Sequence, residues 1–444
     1  MLLALALPPG DQWWLGPACL APLLSAVAGQ GLIRGFVAGI LAPAVTALVV
    51  QSNLLYHVRG DQGGSQWVWV GCGFFGFLIA ILSSVASESK LAGWRRVLLL
   101  GSLAVVLEFA LFPILPAHLA LTQYRSGGML VVAGIGGIWL VSLLLWLANA
   151  AFAEALQRVG NGPAIAMLAI LAGVYGLAFL PRGQTGALAR VAAIQTDSTD
   201  TKSLEKLNGE AGRRGAELAV WPEFSGMEIA PPGKTEGLRN LSAEPGQAAF
   251  VTTFRDTFRP LPHNTAALFH RGTESAWYFK RKVFGGEVNM HTPGTRGIAV
   301  PWPGHPNLGL DICYDSCYPR MIAETASLPD VGLIAHPTID PDATNCFIAA
   351  VHEAFTPFRA AEQGVAIVRA DGIAHSAIVD NAGKIVAESG PRSETILVGD
   401  VRLSRRWTLY SLLGDWVLYL CGAWVLWEIG RWFFAIRSPA AKPS

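Results

Sequence analysis

The sequence predicts a membrane α-helical bundle joined to a soluble α/β domain, and three observations carry that expectation. Hydrophobic residues make up 52% of the 444-residue chain and charged ones 15%, too apolar a balance for a protein that meets water on every side. The apolar residues are unevenly spread: long uncharged runs fill the chain up to about residue 180, a globular composition occupies 186–404, and 407–434 turns apolar again. In the middle stretch short β-rich runs alternate with helical ones, as sheets covered by helices require. The expected domains are therefore 1–185, 186–404 and 405–444.

A bilayer core takes about 20 apolar residues per helix. Runs of that kind lie at 13–28, 32–50, 67–85, 97–115, 129–156, 164–180 and 409–434. The opening MLLALALPPG is apolar too, but its roughly eight residues before the prolines are too few to cross, so it reads as a short first segment or a re-entrant stub. It carries no basic leader and no clear cleavage site, which argues against a cleaved signal peptide. Basic residues set the orientation. Lys90, Arg95 and Arg96 in one turn, Arg158 in another, and Arg431, Arg437 and Lys442 in the tail read as cytoplasmic, against Arg59 and Arg125 on the opposite side. Counting crossings from them puts 186–404 outside the cytoplasm. A net charge of +1 supplies no basic surface for a phosphate backbone, so nucleic acid is not an expected partner.

In the soluble domain, strand-like runs recur at 190–195, 217–221, 264–269, 308–313, 332–336, 365–369, 374–379 and 395–401. Helical stretches fall between several of them, at 200–214, 318–326 and 346–364. Of six cysteines, Cys19, Cys72 and Cys421 lie in apolar runs as small buried thiols. Cys317 and Cys346 are candidates for a disulfide in an oxidising compartment. No pair of cysteines or cluster of histidines has zinc spacing, so no structural metal is expected, and no cofactor either.

Three side chains near the ends of strand-like runs complement one another chemically: Glu223 in Trp-Pro-Glu, Lys280 in YFKRK, and Cys313 in LGLDICYDSCYP. A cysteine attacks a carbonyl as thiolate, so it needs a carboxylate to take its proton and a fixed cation or donor for the oxyanion that follows. Taken singly, each has a plain competitor. Glu223 also reads as a helix-start carboxylate, Lys280 as part of a solvated face with Lys282 as a rival cation, and Cys313 as a core filler with Cys317 as a rival nucleophile.

In order and spelling, WPEFSG, YFKRKVFGGE, GLDICYDSCYPR and FRAAEQGVAIVRADGIAHSAIVDNAGK resemble the nitrilase superfamily across the whole soluble domain. The resemblance implies a nitrilase-like αββα sandwich with Glu223 as general base, Lys280 as oxyanion-stabilising ammonium and Cys313 as nucleophile. It also implies that Glu287 helps position the lysine and the cysteine, and the Tyr314 backbone N–H is the natural second oxyanion donor. Glu108 in VVLEFALFPILPAHLALTQYR, followed by GIGGIWLVSLLLWLANAAFAEAL, is similar to the matching stretch of bacterial apolipoprotein N-acyltransferases. That family implies a multi-pass protein of the inner membrane. It passes an acyl chain from a phospholipid through a cysteine thioester to the amine of a diacylglyceryl-cysteine lipoprotein, and a monomer is expected. The alternative is a membrane-tethered amidase or nitrilase-type hydrolase with water as acceptor, and a non-catalytic scaffold is a third class. This chain departs from the family's usual spelling at 283–287, at Asp315 and at His336-Pro337-Thr338-Ile339-Asp340, around the places where donor and acceptor are handled. The loops 285–295 and 337–345 are the expected cover of the site, and His352 and Arg359 are candidates to support it.

Overall fold

The structure, a computed structural model, describes residues 2–50, 64–86, 91–111, 118–180, 186–227, 234–256, 261–340, 347–391 and 393–437. The chain divides into two compact units, Met1–Phe179 with Leu413–Ser444, and Leu180–Leu412. Cys346 and most of the 337–345 loop lie outside the described residues, and so does the proposed Cys317–Cys346 pairing.

The first unit is helical: α1 (Leu2–Ala6), α2 (Ala21–Val27), α3 (Gly31–Val50), α4 (Gly64–Ala86), α5 (Gly93–Leu111), α6 (Gly127–Leu156) and α7 (Gly162–Gly176). Among the described residues, two helices are long and apolar enough to cross a membrane, Gly127–Leu156 and Gly162–Phe179. The 13–28 run, expected as one span, is instead a 3-10 turn at Trp13–Leu15 followed by the short α2. Two contacts explain the break. A Cβ at Gly16 would come within 2.5 Å of the Thr122 and Gln123 side chains, so only glycine fits there. Asn149 then pairs the groups that a continuous helix would pair internally: its Nδ2 donates to the Gly16 carbonyl at 2.9 Å and its Oδ1 accepts from the Leu20 N–H at 2.7 Å. Glu108, buried on α5, ties three segments together. It accepts from the Leu119 N–H at 2.9 Å, from Trp146 Nε1 at 2.8 Å and from Ser142 Oγ at 2.7 Å. α6 is kinked where Gly136 and Gly137 leave helical geometry, Gly137 at φ +69°.

The second unit is a four-layer α/β sandwich. Its strands are β1 (Ala187–Gln195), β2 (Leu218–Val220), β3 (Ala249–Arg255), β4 (Asn264–His270), β5 (Thr273–Glu274), β6 (Tyr278–Phe279), β7 (Ile298–Val300), β8 (Asn307–Leu310), β9 (Val331–Thr338), β10 (Ala366–Asp371), β11 (Ala377–Val379), β12 (Ile385–Glu388) and β13 (Thr395–Leu403). One sheet runs β13-β1-β2-β3-β4-β5, with β6 also on β4, and the other runs β12-β11-β10-β9-β8-β7. Period-2 alternation builds the layers. Val191 and Ala193 of β1 join Val220, Val251, Leu310, Ala335 and Val368 in the core between the sheets. Ala192 and Ile194 face outward, where they pack with Leu204 of α8 (Thr201–Arg213) and Leu238 of α9 (Glu236–Ala243). On the far side, Ile322 of α10 (Pro319–Ala326) and Ala360 of α11 (Phe347–Gln363) cover Ile334 and Ile367. All eight expected strands and the three expected helices have counterparts. β3, α9 and the very short β5, β6, β7 and β12 fall outside the expected runs; in the short strands, two to four residues carry too little periodicity to be read. The 308–313 strand is shorter than expected: it stops at Leu310, because Cys313 at φ +48° cannot continue a ladder.

The α/β unit continues past β13 as far as Leu412, later than the expected boundary at 404. The Arg406 N–H donates to the Gly364 carbonyl at 2.7 Å, and the Thr408 hydroxyl donates to the Glu362 carbonyl at 2.5 Å. Gly364 sits at φ +64°, and a Cβ there would meet the Arg406 carbonyl oxygen at 1.9 Å. Gly364→Ala should therefore cost at least the 1–2 kcal/mol of about one left-handed residue plus the clash, read as a fall in the melting temperature of the purified protein. The expected span at 409–434 is divided in two, α12 (Leu409–Leu413) and α13 (Trp416–Arg437), at Gly414, which adopts φ +61°.

Candidate active site

Trp221-Pro222-Glu223 leaves the C-terminal end of β2. Trp221 is fully buried, stacked on Phe250 at 4.3 Å, and its Nε1 donates to Asn208 Oδ1 at 2.9 Å, so the residues after it start from a fixed point. The Glu223 N–H donates to the Thr338 carbonyl at 3.1 Å, and Phe224 turns the chain away at φ +64°. Both carboxylate oxygens are then held. Oε1 accepts from Asn264 Nδ2 at 2.6 Å and from Lys280 Nζ at 2.9 Å, and Oε2 accepts from the Ile339 N–H at 3.2 Å.

Lys280 follows β6, with its N–H on the Asn264 carbonyl at 2.9 Å. Its side chain is 1% exposed, and its ammonium lies between Glu223 and Glu287, the latter reached at 2.9 and 2.8 Å. Glu287, in the 3-10 turn Gly285–Asn289, also accepts the Phe284 N–H at 2.7 Å, which locks the turn to the lysine. Lys282 is excluded from this cluster. Its Nζ lies over the Tyr318 ring at 4.6 Å, and its N–H donates to Asp315 Oδ1 at 2.8 Å.

Cys313 opens the 3-10 turn Cys313–Cys317 just beyond β8. Its left-handed backbone makes an elbow, a conformation that a non-glycine residue holds only when its surroundings impose it. Asp315 is one such constraint. Its Oδ2 accepts from the Ile312 N–H at 3.1 Å and from the Tyr278 hydroxyl at 2.6 Å, so it staples the elbow to the lysine segment. Behind it the buried Arg281 binds Tyr278 Oη at 2.9 Å, Asp311 at 2.7 Å and Glu324 at 2.8 Å. Tyr314, next in the turn, is held edge-on between Phe284 and Tyr318 at 5.0 and 5.3 Å. Arg359 donates through Nε to the Ser316 carbonyl at 2.9 Å and pairs with Glu362, so it braces the end of the same turn. The structure thus brings Glu223, Lys280, Glu287 and Cys313 into one buried cluster, with Tyr314 adjoining.

The electrostatics of the cluster follow from burial. Removal from water pushes the Cys313 thiol well up, Glu223 pushes it further, and Lys280 pulls it down. Burial likewise raises the Glu223 carboxyl, against the pull of Lys280. For Lys280 burial acts to lower the ammonium, but Cys313, Glu223 and Glu287 outweigh it and hold the group cationic, well above its ordinary value. One permanent cation therefore faces a thiol that keeps its proton until a base takes it.

A second polar chain also reaches Cys313. His352 on α11 offers Nε2 at 3.1 Å to the Cys313 carbonyl and at 3.1 Å to Ser316 Oγ. Its Nδ1 pairs with Asp340 Oδ1 at 2.7 Å, and Asp340 Oδ2 binds Arg369 of β10. Burial acts to raise the Asp340 carboxyl, but His352 and Arg369 hold it down at about 2. Ligand atoms of Cys313, Asp340 and His352 lie within 4.8 Å of one another, which makes this the one group of metal-ligand type found among the described residues. A cation there would face Lys280 and Arg369 and would break the Asp340–His352 hydrogen bond, so the set reads better as a hydrogen-bonded chain. Asn264, Asp340 and Arg369 had no place in the sequence-based site. The signal for Asp340 was present only as a departure from a familiar spelling.

Residues 190–408 match the carbon-nitrogen hydrolase family, and residues 1–151 match the apolipoprotein N-acyltransferase N-terminal domain. The chain is similar to the apolipoprotein N-acyltransferase of Geobacter metallireducens, 25% identical over 95% of this chain and 91% of that protein. It is likewise similar to that of Gloeobacter violaceus, 26% identical over 94% and 89%. Among solved structures, an amidase of the nitrilase superfamily from Nesterenkonia AN1 is 23% identical with a TM-score of 0.42, over 50% of this chain and 93% of that one.

Proposed function

We propose, for a chain that belongs to the apolipoprotein N-acyltransferase family, that Glu223, Lys280 and Cys313 pass an acyl chain from a phospholipid to the N-terminal amine of a diacylglyceryl-cysteine lipoprotein. The observation that carries the assignment is the Lys280 ammonium, fixed within 2.9 Å of both Glu223 and Glu287 beside a thiol on a left-handed elbow.

In the first half-reaction Glu223 takes the Cys313 proton as Sγ attacks the ester carbonyl. Lys280 and the Tyr314 N–H receive the oxyanion, and Glu223 returns the proton to the departing lysophospholipid oxygen. In the second half-reaction the amine attacks the thioester and the thiol is regenerated through the same base. Lipid at both ends of the reaction fits the helical unit, since drawing an acyl chain out of hydrocarbon costs about 0.8 kcal/mol per CH₂ exposed to water. We place that unit in the inner membrane and the α/β unit outside the cytoplasm, on the clustering of Arg95 and Arg96 at the start of α5, Arg158 after α6, and Arg431 and Arg437 toward the end of α13.

The test is to incubate the purified protein with phospholipid and weigh it intact. An acyl mass on Cys313 that a lipopeptide amine removes supports transfer. Ammonia release from small amides with no acyl mass would favour the hydrolase instead. A pH dependence follows from burial of Glu223. The base works only when ionised and its pKa is raised, so single-turnover thioester formation should fall as pH drops through that raised value, at a higher pH than an ordinary glutamate gives. Glu223→Gln should abolish acylation at every pH. An acid limb in the ordinary glutamate range, or turnover by the glutamine variant, would remove Glu223 from the role of base.

A further inference from the structure

The first half-reaction has no use for Asp340. Its carboxylate lies within 4.8 Å of Cys313 Sγ, on the His352 side of the nucleophile, and a second negative charge there makes the thiol harder to ionise. The group is nevertheless elaborately held: 5% exposed, with Oδ1 on His352 Nδ1 at 2.7 Å and Oδ2 on Arg369, itself paired with Asp371 at 3.2 Å. His352 and Arg369 each hold one of its two oxygens, and a carboxylate oxygen can accept more than one hydrogen bond. A charge that hinders one step of a two-step reaction and is still built into the site has its use in the other step.

We propose that Asp340 stabilises the positive charge that grows on the acceptor's amine nitrogen as it attacks the Cys313 thioester, making the site selective for an amine acceptor in the second half-reaction. This rests on the acyl-transfer reading above. The neutral amine adds to the thioester carbon and the C–N bond forms. The oxyanion turns toward Lys280, and the nitrogen, now cationic, donates an N–H to Asp340. Glu223 removes another of its protons and delivers it to Sγ as the C–S bond breaks, leaving an amide and a thiol. Asp340 takes no proton and stays ionised throughout. His352 and Arg369 act through it as positioning residues.

The experiment separates the half-reactions. Wild type and Asp340→Asn are acylated with phospholipid and purified, then mixed with a synthetic diacylglyceryl-cysteine lipopeptide while the thioester mass is followed. Asp340→Asn should acylate within about threefold of wild type but transfer about 10- to 100-fold more slowly. Asp340→Glu, which keeps the charge, should recover part of the transfer rate. Equal slowing of both steps, transfer at the wild-type rate, or an Asp340→Asn protein that accepts no acyl chain would each overturn the proposal and reduce Asp340 to a structural brace of the elbow. Wild type that never forms the thioester would instead sink the acyl-transfer reading itself.

Discussion

Cys313→Ala is expected to end acyl transfer, with a loss on the order of 10⁴-fold or more and no acyl mass on the protein. The fold should survive the change. Alanine meets the same left-handed strain that cysteine already bears at φ +48°, and the stapling by Asp315 and Arg359 does not involve the sulfur. The informative control is Cys317→Ala. Cys317 closes the same short turn, is 1% exposed, and burial pushes its thiol far up. That variant should acylate normally. Acylated Cys313→Ala protein, or loss of acylation only in Cys317→Ala, would transfer the nucleophile's role to Cys317.

Lys280→Met should cost both activity and stability. Removing the oxyanion donor is worth about 10² to 10³ in rate. Removing the cation between Glu223 and Glu287, the first of them fully buried, leaves carboxylates facing each other in a dry cluster, which costs about 3–5 kcal/mol of folding stability. The two effects are separable. Adding Glu287→Gln to Lys280→Met removes one stranded charge, so denaturant unfolding should recover part of the stability while acylation stays lost. A Lys280→Met protein that unfolds at the wild-type denaturant concentration would show that the lysine is not the clamp described. One that acylates at the wild-type rate would show that the oxyanion is held elsewhere.

Legibility differed from residue to residue. Glu223, Lys280 and Cys313 stood out because each sits in a short string whose chemistry is local, an acid after a strand, a lysine in a basic run and a thiol at a strand end, whereas Glu287 came from the family resemblance alone. The resemblance pointed to Lys280 over Lys282, and the structure shows why the two differ: the chain bends at 281–282, which turns Lys282 to the Tyr318 ring. Asn264 was invisible as the partner of Glu223, 41 positions away, because strand pairing of β3 with β4 brings it there. The Arg369–Asp340–His352 chain was hidden for the same reason. The parallel register of β9 and β10 sets Asp371 beside Thr338 and Arg369 beside His336, and α11 returns His352 over that edge. In the helical unit, hydropathy located the apolar runs but missed the break at Gly16, which depends on Thr122, Gln123 and Asn149 from distant segments.

The order of apolar and globular stretches, the α/β alternation and a set of side chains suited to thiol acyl chemistry could all be read from the chain, because hydropathy, period and side-chain type are properties of neighbouring residues. The left-handed elbow at Cys313, the clamping of Lys280 between two carboxylates, and the presence of Asp340 beside Cys313 were decided only by the tertiary structure. Each depends on strands and turns far apart in sequence meeting in a space from which water is excluded. There a displacement of one residue decides whether a charge is paired, stranded or turned to catalysis.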